Sequence, residues 1–238
     1  MATSDTVRKT DARSERWREH RIKVRADIVD AAIRATAKLG PDVSMDDIAR
    51  EAGAAKPKLY RHFSDKTDLY NAVVERLIED LWNTMVTQAN LLQDSTSEVL
   101  KRGVDEFLKR VTAEPNLFRW VAHSAIAMQA SPGSHATESL REIAQRFDSV
   151  LRAAGGGELA ESRAIELIVF SILGLGATAT EWWLGGPDGP PMGVDEFSEY
   201  LLRSAQSVIG EWARMYGFRI DPDKPLPTAL SLNSDAAG

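Results

Sequence analysis

The chain has 238 residues and a mass of 26.2 kDa, enough to bury a real core and to build one small plus one larger domain. It has no cysteine, which excludes disulfides, thiol redox sensing and cysteine-based zinc sites. The net charge of −6 is uneven: residues 1–70 hold 15 Lys/Arg against 12 Asp/Glu, and the rest hold 14 against 23, so a basic start precedes an acidic body.

Residues 1–21 form a basic N-terminal extension. From position 8 to 25 the chain carries Arg8, Lys9, Arg13, Arg16, Arg18, Arg21, Lys23 and Arg25. This reads as an arm following a DNA backbone or entering a minor groove, or more blandly as a solvated tail or an extension of the first helix. The bland reading is the expectation. The polar start lacks the apolar stretch of a secretory signal, so none is expected.

Ile22 to Leu39 reads as a helix with an apolar face through Ile22, Ala26, Val29, Ile33 and Ala37, stopped by Gly40-Pro41. Residues 44–69, SMDDIAREAGAAKPKLYRHFSDKTDL, are the most informative stretch. Ser44 is a good N-cap for a short helix, and Asp46 and Asp47 favour its positive end. Met45, Ile48, Ala49 and Ala52 share one apolar face. Gly53 ends that helix because the chain turns there and glycine tolerates positive φ. A second helix starts near Ala55 or Lys56, with Pro57 in the first turn, where a missing N–H removes no helical bond. Leu59 and Phe63 face inward, leaving Lys56, Lys58, Tyr60, Arg61 and His62 on the surface. This is how a helix-turn-helix places a short recognition helix on DNA; a solvated helix with a few cations is the bland alternative. Ser64 or Asp65 caps a third helix carrying Leu69, Tyr70, Val73, Leu77 and Leu81 inward. Lys66 in its first turn suits a bound phosphate, or else pairs with a nearby aspartate.

The run from Ile28 to Val74 resembles the DNA-binding domain of the TetR family of bacterial transcriptional regulators. The resemblance rests on Ile28, Ala31, Ala32, Gly40, Ser44, Ile48, Ala49, Ala52, Gly53, Leu59, Tyr60, His62, Phe63, Lys66 and Leu69, and covers roughly Ile22 to Trp82. It implies that Ser44, Lys56, Tyr60, His62 and Lys66 contact phosphates, with Pro57, Lys58 and Arg61 near base edges. Ala55 stands where the family usually has serine or threonine, Pro57 at a small glycine-like position, and Lys58 in place of the common threonine. These departures leave the fold intact and bear on which DNA sequence is read.

The remainder reads as helices: Asp68 to Leu92, Ser97 to Thr112, a shorter segment opened by Glu114-Pro115, Thr137 to Arg152, Glu158 to Leu184 and Val194 to Tyr216. Breaks fall at Ser131-Pro132-Gly133, Gly155-Gly156-Gly157 and Gly185 to Pro191. Leu167 to Thr180 is a 14-residue uncharged run, short of the roughly 20 residues a membrane span needs, and is expected to be a buried helix of a soluble protein. From Asp221, with Pro222, Pro225 and Pro227, a flexible tail is expected. No alternating strand pattern or internal repeat is visible. The expected fold is all-α: an N-terminal three-helix helix-turn-helix domain (22–82), a larger helical effector-binding and dimerisation domain (83–217) and a tail (218–238).

The last two long helices are candidates for a homodimer interface. One carries Ile165, Ile168, Val169, Ile172, Leu173, Gly174, Gly176 and Ala177; the other carries Phe197, Leu201, Leu202, Ala205, Val208, Ile209, Trp212 and Met215. The resemblance implies that two such pairs form a four-helix bundle, and otherwise they close one chain's own core. His20, His62, His123 and His135 show no metal-binding or nucleophile–base spacing, so neither metal nor cofactor nor enzymatic activity is expected. The resemblance further implies a cytoplasmic regulator that binds double-stranded operator DNA, contacts no membrane and is released by a small effector. Candidate pocket residues are Trp82, Met85, Phe107, Phe118, Trp120, His123, Met128, Phe170, Trp182 and Trp183. Their aromatic and apolar character points to an apolar effector, with ordinary core packing as the bland reading for each. A repressor is the family's usual mode; an activator of the same fold, or a helical binding protein without DNA contact, are the alternatives.

Overall fold

The computed structural model describes residues 4–88, 90, 93–129, 135–153, 162–185 and 190–232. Helix α1 spans Ser4–Leu39. No glycine or proline interrupts it, so the basic extension is the opening part of α1. The side chains of Arg8, Lys9, Arg13 and Arg16 lie outside the described residues. The expected apolar face of α1 needs correction. Ile22 is 63% exposed, and the buried side runs through Ile28, Val29, Ala31, Ala32, Ala35 and Thr36. The alanines decide this, because their small side chains let the neighbouring helices approach closely.

Helix α2 is Met45–Glu51 and α3 is Lys56–Leu59. Helix α4 follows as Lys66–Gln88, α5 as Thr96–Ala113, α6 as Pro115–Gln129 and α7 as His135–Ala153. Helices α8, Ser162–Leu184, and α9, Val194–Met215, complete the long elements. The all-α reading holds apart from two three-residue strands near the end. The breaks expected at Ser131-Pro132-Gly133, Gly155-Gly156-Gly157 and Gly186 to Gly189 lie outside the described residues.

Among the described residues, three apolar clusters organise the chain. The first joins α1 to α4 through Ile28, Ala32, Ile48, Leu59, Phe63, Leu69 and Val73, and it also takes in Leu117 and Trp120 of α6. The second packs Leu108 and Val111 of α5 with Trp183 of α8 and Phe197 and Leu201 of α9. The third joins Ile143 and Ala144 of α7 to Ile165 and Val169 of α8. Both α4 and α6 therefore belong to the N-terminal core and to the body at once.

The flexible tail is also corrected. Strand β1, Phe218–Ile220, pairs antiparallel with β2, Leu230–Leu232, with Phe218 opposite Leu232 and Ile220 opposite Leu230. A short helix α10, Leu226–Ala229, lies between them and buries Ala229. The first amides of a helix lack internal carbonyls, and here Thr96 and Ser97 of α5 donate to the Lys224 and Pro222 carbonyls at 2.9 and 3.0 Å. The prolines thus shape a strap over the start of α5. Asn233 to Gly238 lie outside the described residues.

The expectation of a buried helix at Leu167 to Thr180 changes as well. Residues 164–184 of α8 are long and apolar enough to cross a membrane by length and composition, yet only 22% of them are buried. Ile165, Val169 and Trp183 face the chain's own core, while Leu167, Ser171, Gly174, Thr178 and Trp182 lie exposed along one side. On α9, Phe197, Leu201 and Ala205 are likewise taken up by the chain's own core.

Candidate nucleic-acid interface

The tip of the molecule is built from α2, α3 and the start of α4. Ser44 caps α2: its hydroxyl accepts from the Asp47 amide at 3.2 Å, and Asp47 accepts from the Ser44 amide at 3.1 Å. Each satisfies a donor the helix start leaves free. The Ser44 hydrogen bonds, chiefly, hold the Asp47 carboxyl below its ordinary range. Gly53 sits at φ 59, where a side chain would be strained, and turns the chain into α3.

Ala55 caps α3 without any side-chain hydrogen bond, and Pro57 occupies its first turn. The α-helix proper ends at Leu59, short of His62. The turn nonetheless continues through His62 and Phe63, whose amides both donate to the Leu59 carbonyl at 2.9 Å. Leu59 and Phe63 are buried, which anchors the segment from beneath. Lys56, Pro57, Lys58, Tyr60 and Arg61 consequently face solvent, and Lys66 is exposed at the start of α4. There Asp65 caps the helix by accepting from the Asp68 amide at 2.8 Å. The amides of Lys66 and Thr67 have no helical carbonyl to meet and point outward.

The eight candidate DNA residues thus gather on one tip, with two differences in how they are held. Ser44 already spends its hydroxyl on the cap. Lys56 lies 2.9 Å from Asp46, whose hydrogen bond raises the lysine pKa. By contrast Lys58, Arg61 and Lys66 have no carboxylate partner among the described residues, so Lys66 does not form the aspartate pair considered above. His62 is held below its ordinary value, first by burial and then by Arg21, Lys58, Arg61 and Arg25. Its Nδ1 is buried without a hydrogen-bond partner, so the tip is a dense field of positive charge around a neutral imidazole.

Arg21 and Arg25 are the tip residues that the sequence reading left out of the site. The guanidinium carbon of Arg25 lies 4.4 Å from the Phe63 ring centre, and its Nη2 donates to Asp68 Oδ1 at 3.1 Å. Its position three and four residues before Ile28 and Val29, on the core side of α1, was the available signal.

The effector candidates whose side chains are described fall in several places. Phe107 and Phe118 meet edge to face at 5.9 Å and adjoin Trp183, which stacks on Phe197 at 4.9 Å. Trp120 instead belongs to the N-terminal core, 5.1 Å from Tyr70. Trp82 contacts Phe147 at 5.2 Å, Phe170 is half-buried, and Trp182 is 59% exposed. The side chains of Met85, His123 and Met128 lie outside the described residues. A separate recess of about 170 Å³ between α4 and α7 is lined by Glu75, Ile78, Glu79, Glu142, Ile143 and Arg146, none of them a candidate.

Comparison with known proteins identifies the class. Residues 28–73 match the family of bacterial regulatory proteins described as the tetR family. An uncharacterized HTH-type transcriptional regulator of Mycobacterium tuberculosis, MT0489, is 31% identical over 202 residues, covering 84% of this chain and 83% of that protein. The HTH-type transcriptional activator FasR of Mycolicibacterium smegmatis is 28% identical over 146 residues, covering 59% of this chain and 62% of its own length. Among solved structures, the transcriptional regulator FadR from Bacillus subtilis in complex with stearoyl-CoA superposes with a TM-score of 0.55 at 19% identity, over 77% of this chain and 98% of that one. The chain belongs to the TetR family of transcriptional regulators.

Proposed function

We propose that the protein is a cytoplasmic, dimeric repressor that binds duplex operator DNA through its tip and leaves it when a small apolar effector binds the helical body. The observation that carries this reading is the set of exposed cations without a carboxylate partner among the described residues, Lys58, Arg61 and Lys66, presented on and just after a turn whose buried side is fixed by Leu59 and Phe63. Ser44, Lys56, Tyr60, His62 and Lys66 are assigned to phosphates, and Pro57, Lys58 and Arg61 to base edges. A four-residue α3 reads too few bases alone, so two copies must act about 34–36 Å apart. The exposed side of α8, where Leu167, Leu173 and Trp182 are open to solvent, supports a dimer formed through α8 and α9. The stearoyl-CoA-bound FadR structure and the aromatic candidates Trp82, Met85, Phe107, Phe118, Trp120, His123, Met128, Phe170, Trp182 and Trp183 support a fatty-acyl or aromatic effector.

The test is a gel shift and footprint on the upstream DNA of the protein's own gene. Lys66→Ala and Tyr60→Phe should each lose binding with helical content retained. Unchanged binding by both would sink the assigned contacts. A panel of acyl and aromatic ligands that neither raises the melting temperature nor releases the DNA would remove the effector class. The similarity to FasR favours a second reading, an activator of the same architecture, in which a promoter fusion loses rather than gains expression when the protein is deleted.

A further inference from the structure

Positions 18, 21, 25, 28 and 32 lie along one side of α1 at helical spacing. From Ile28 onward that side is buried in the N-terminal core. Ahead of Ile28 the same side carries Arg25, Arg21 and Arg18. Arg25 marks the change, since it covers the edge of the core at Phe63 and reaches Asp68. One turn earlier, Arg21 is exposed and has no carboxylate partner among the described residues. Arg18 pairs with Glu15 on its own helix, and both are exposed. Every residue from Trp17 to Lys23 is exposed, and Trp17 itself is 66% so. Among the described residues, the core-facing side of α1 therefore runs on past the core as a row of exposed arginines.

This row begins at the DNA-facing tip. Arg21 has the largest of the four cationic influences on His62, ahead of Lys58 and Arg61 of the recognition segment itself. The helix ahead of Val24 holds 20 described residues, Ser4 to Lys23, and so projects about 30 Å, close to one turn of duplex. The exposed positive charge of the row and its start beside Phe63 and His62 of the recognition segment specify one occupant, the DNA backbone.

We propose that Arg18 and Arg21 on the projecting part of α1 form a second DNA-contact element, which binds backbone phosphates flanking the half-site read by α3. The inference rests on the regulator reading above and extends the footprint beyond the helix-turn-helix. Its contribution is electrostatic, so it strengthens binding to flanked DNA and deepens the salt dependence without changing the bases preferred.

The experiment compares two duplexes from the footprinted upstream fragment, one ending at the half-sites and one extended on both sides, across a salt series. The native protein should bind the extended duplex roughly tenfold tighter. Arg18→Ala with Arg21→Ala should abolish that gain and reduce the salt slope by about three to four, for four charges per dimer. Alanine is the best helix former, so helical content should persist, and the Arg18→Lys with Arg21→Lys variant should retain the slope because phosphates accept point charges. Lys66→Ala should weaken both duplexes alike. A double alanine variant with native slope and native flank gain would overturn the inference while leaving the regulator reading intact. So would a variant that changes only self-association, which would assign the row to a second copy of the chain. A native protein that binds neither duplex would refute the regulator reading, and the flanking contact would fall with it.

Discussion

Gly174 offers a substitution whose effects on the single chain and on the dimer have opposite signs. It lies mid-way along the exposed side of α8, between Leu167 and Trp182, and a Cβ built there meets nothing within 4 Å. Glycine inside a helix is disfavoured by about 0.8–1 kcal/mol relative to alanine, and arginine recovers most of that. Gly174→Arg should therefore leave the isolated chain as stable as before or slightly more so. In a dimer through α8 the same side is covered, and an arginine pressed against a partner's apolar face loses hydration without a partner charge. Allowing about 2 kcal/mol for each copy, and two copies in a symmetric interface, association weakens by about 4 kcal/mol, or near a thousandfold in Kd. Sedimentation over a concentration series reads the dimer constant, and urea unfolding below that constant reads the single chain. A variant with a native dimer constant would show that the exposed side of α8 is not the interface.

Three further outcomes follow from the tip and its junction. Phe63→Ala removes a ring that is 1% exposed and lies beneath Arg25, and should cost about 3–5 kcal/mol of stability by urea unfolding. A loss below about 1 kcal/mol would mean the recognition turn is not anchored from below. Tyr70→Phe removes a 2.8 Å hydrogen bond from the phenol to the Val121 carbonyl and should cost about 1–2 kcal/mol, with faster amide exchange where α4 meets α6. Exchange rates matching the native chain would count against that link. Because the fold holds His62 below 6.5, the unfolded chain binds its proton more readily. Stability from this group is flat above that value and falls as pH drops through it, so the native chain should lose more stability than His62→Gln on acidification. Parallel losses in the two proteins would contradict the buried, neutral imidazole.

Much of the tip was legible because its residues are constrained locally. Ser44, Gly53 and Pro57 announce a cap, a positive φ and a first helical turn, and each stands where the sequence placed it. Leu59 and Phe63 follow from spacing alone. What escaped was tertiary. Ile22 looks like a core residue by period, yet the core ends before it, and no local signal says where a neighbouring helix stops. The tail after Asp221 looks polar and proline-rich, but its order comes from amides at Thr96 and Ser97, more than a hundred residues away. The run from Leu167 to Thr180 is uncharged on all sides, so charge does not separate the side used by the chain's own core from the one left exposed. Effector residues are hard to separate from core by sequence, since an aromatic side chain is equally suited to a pocket wall and to a packed core.

The joint between body and tip limits how an effector can act. Helix α4 places Leu69, Tyr70 and Val73 in the N-terminal core and, further along, Trp82 against Phe147 of the body. Helix α6 does the same within one turn: Leu117 and Trp120 sit in the N-terminal core, while Phe118 packs on Phe107. Asn116 adds a 3.1 Å hydrogen bond to the Ala37 carbonyl of α1. Close-packed contacts of this kind do not stretch, so a ligand that separates Phe118 from Phe107 must carry Trp120, and with it α1 and α4, to a second arrangement. The coupling is no larger than the ligand's preference for that arrangement, and by reciprocity bound DNA must weaken the ligand by the same factor. Among the candidate residues outside the N-terminal core, Phe107, Phe118 and Trp183 pack together and reach that core through Trp120, two residues on from Phe118 in α6. Phe118→Leu should alter the effector concentration needed for release while leaving DNA affinity in its absence near native. A change confined to DNA affinity would place the sensing site elsewhere in the body.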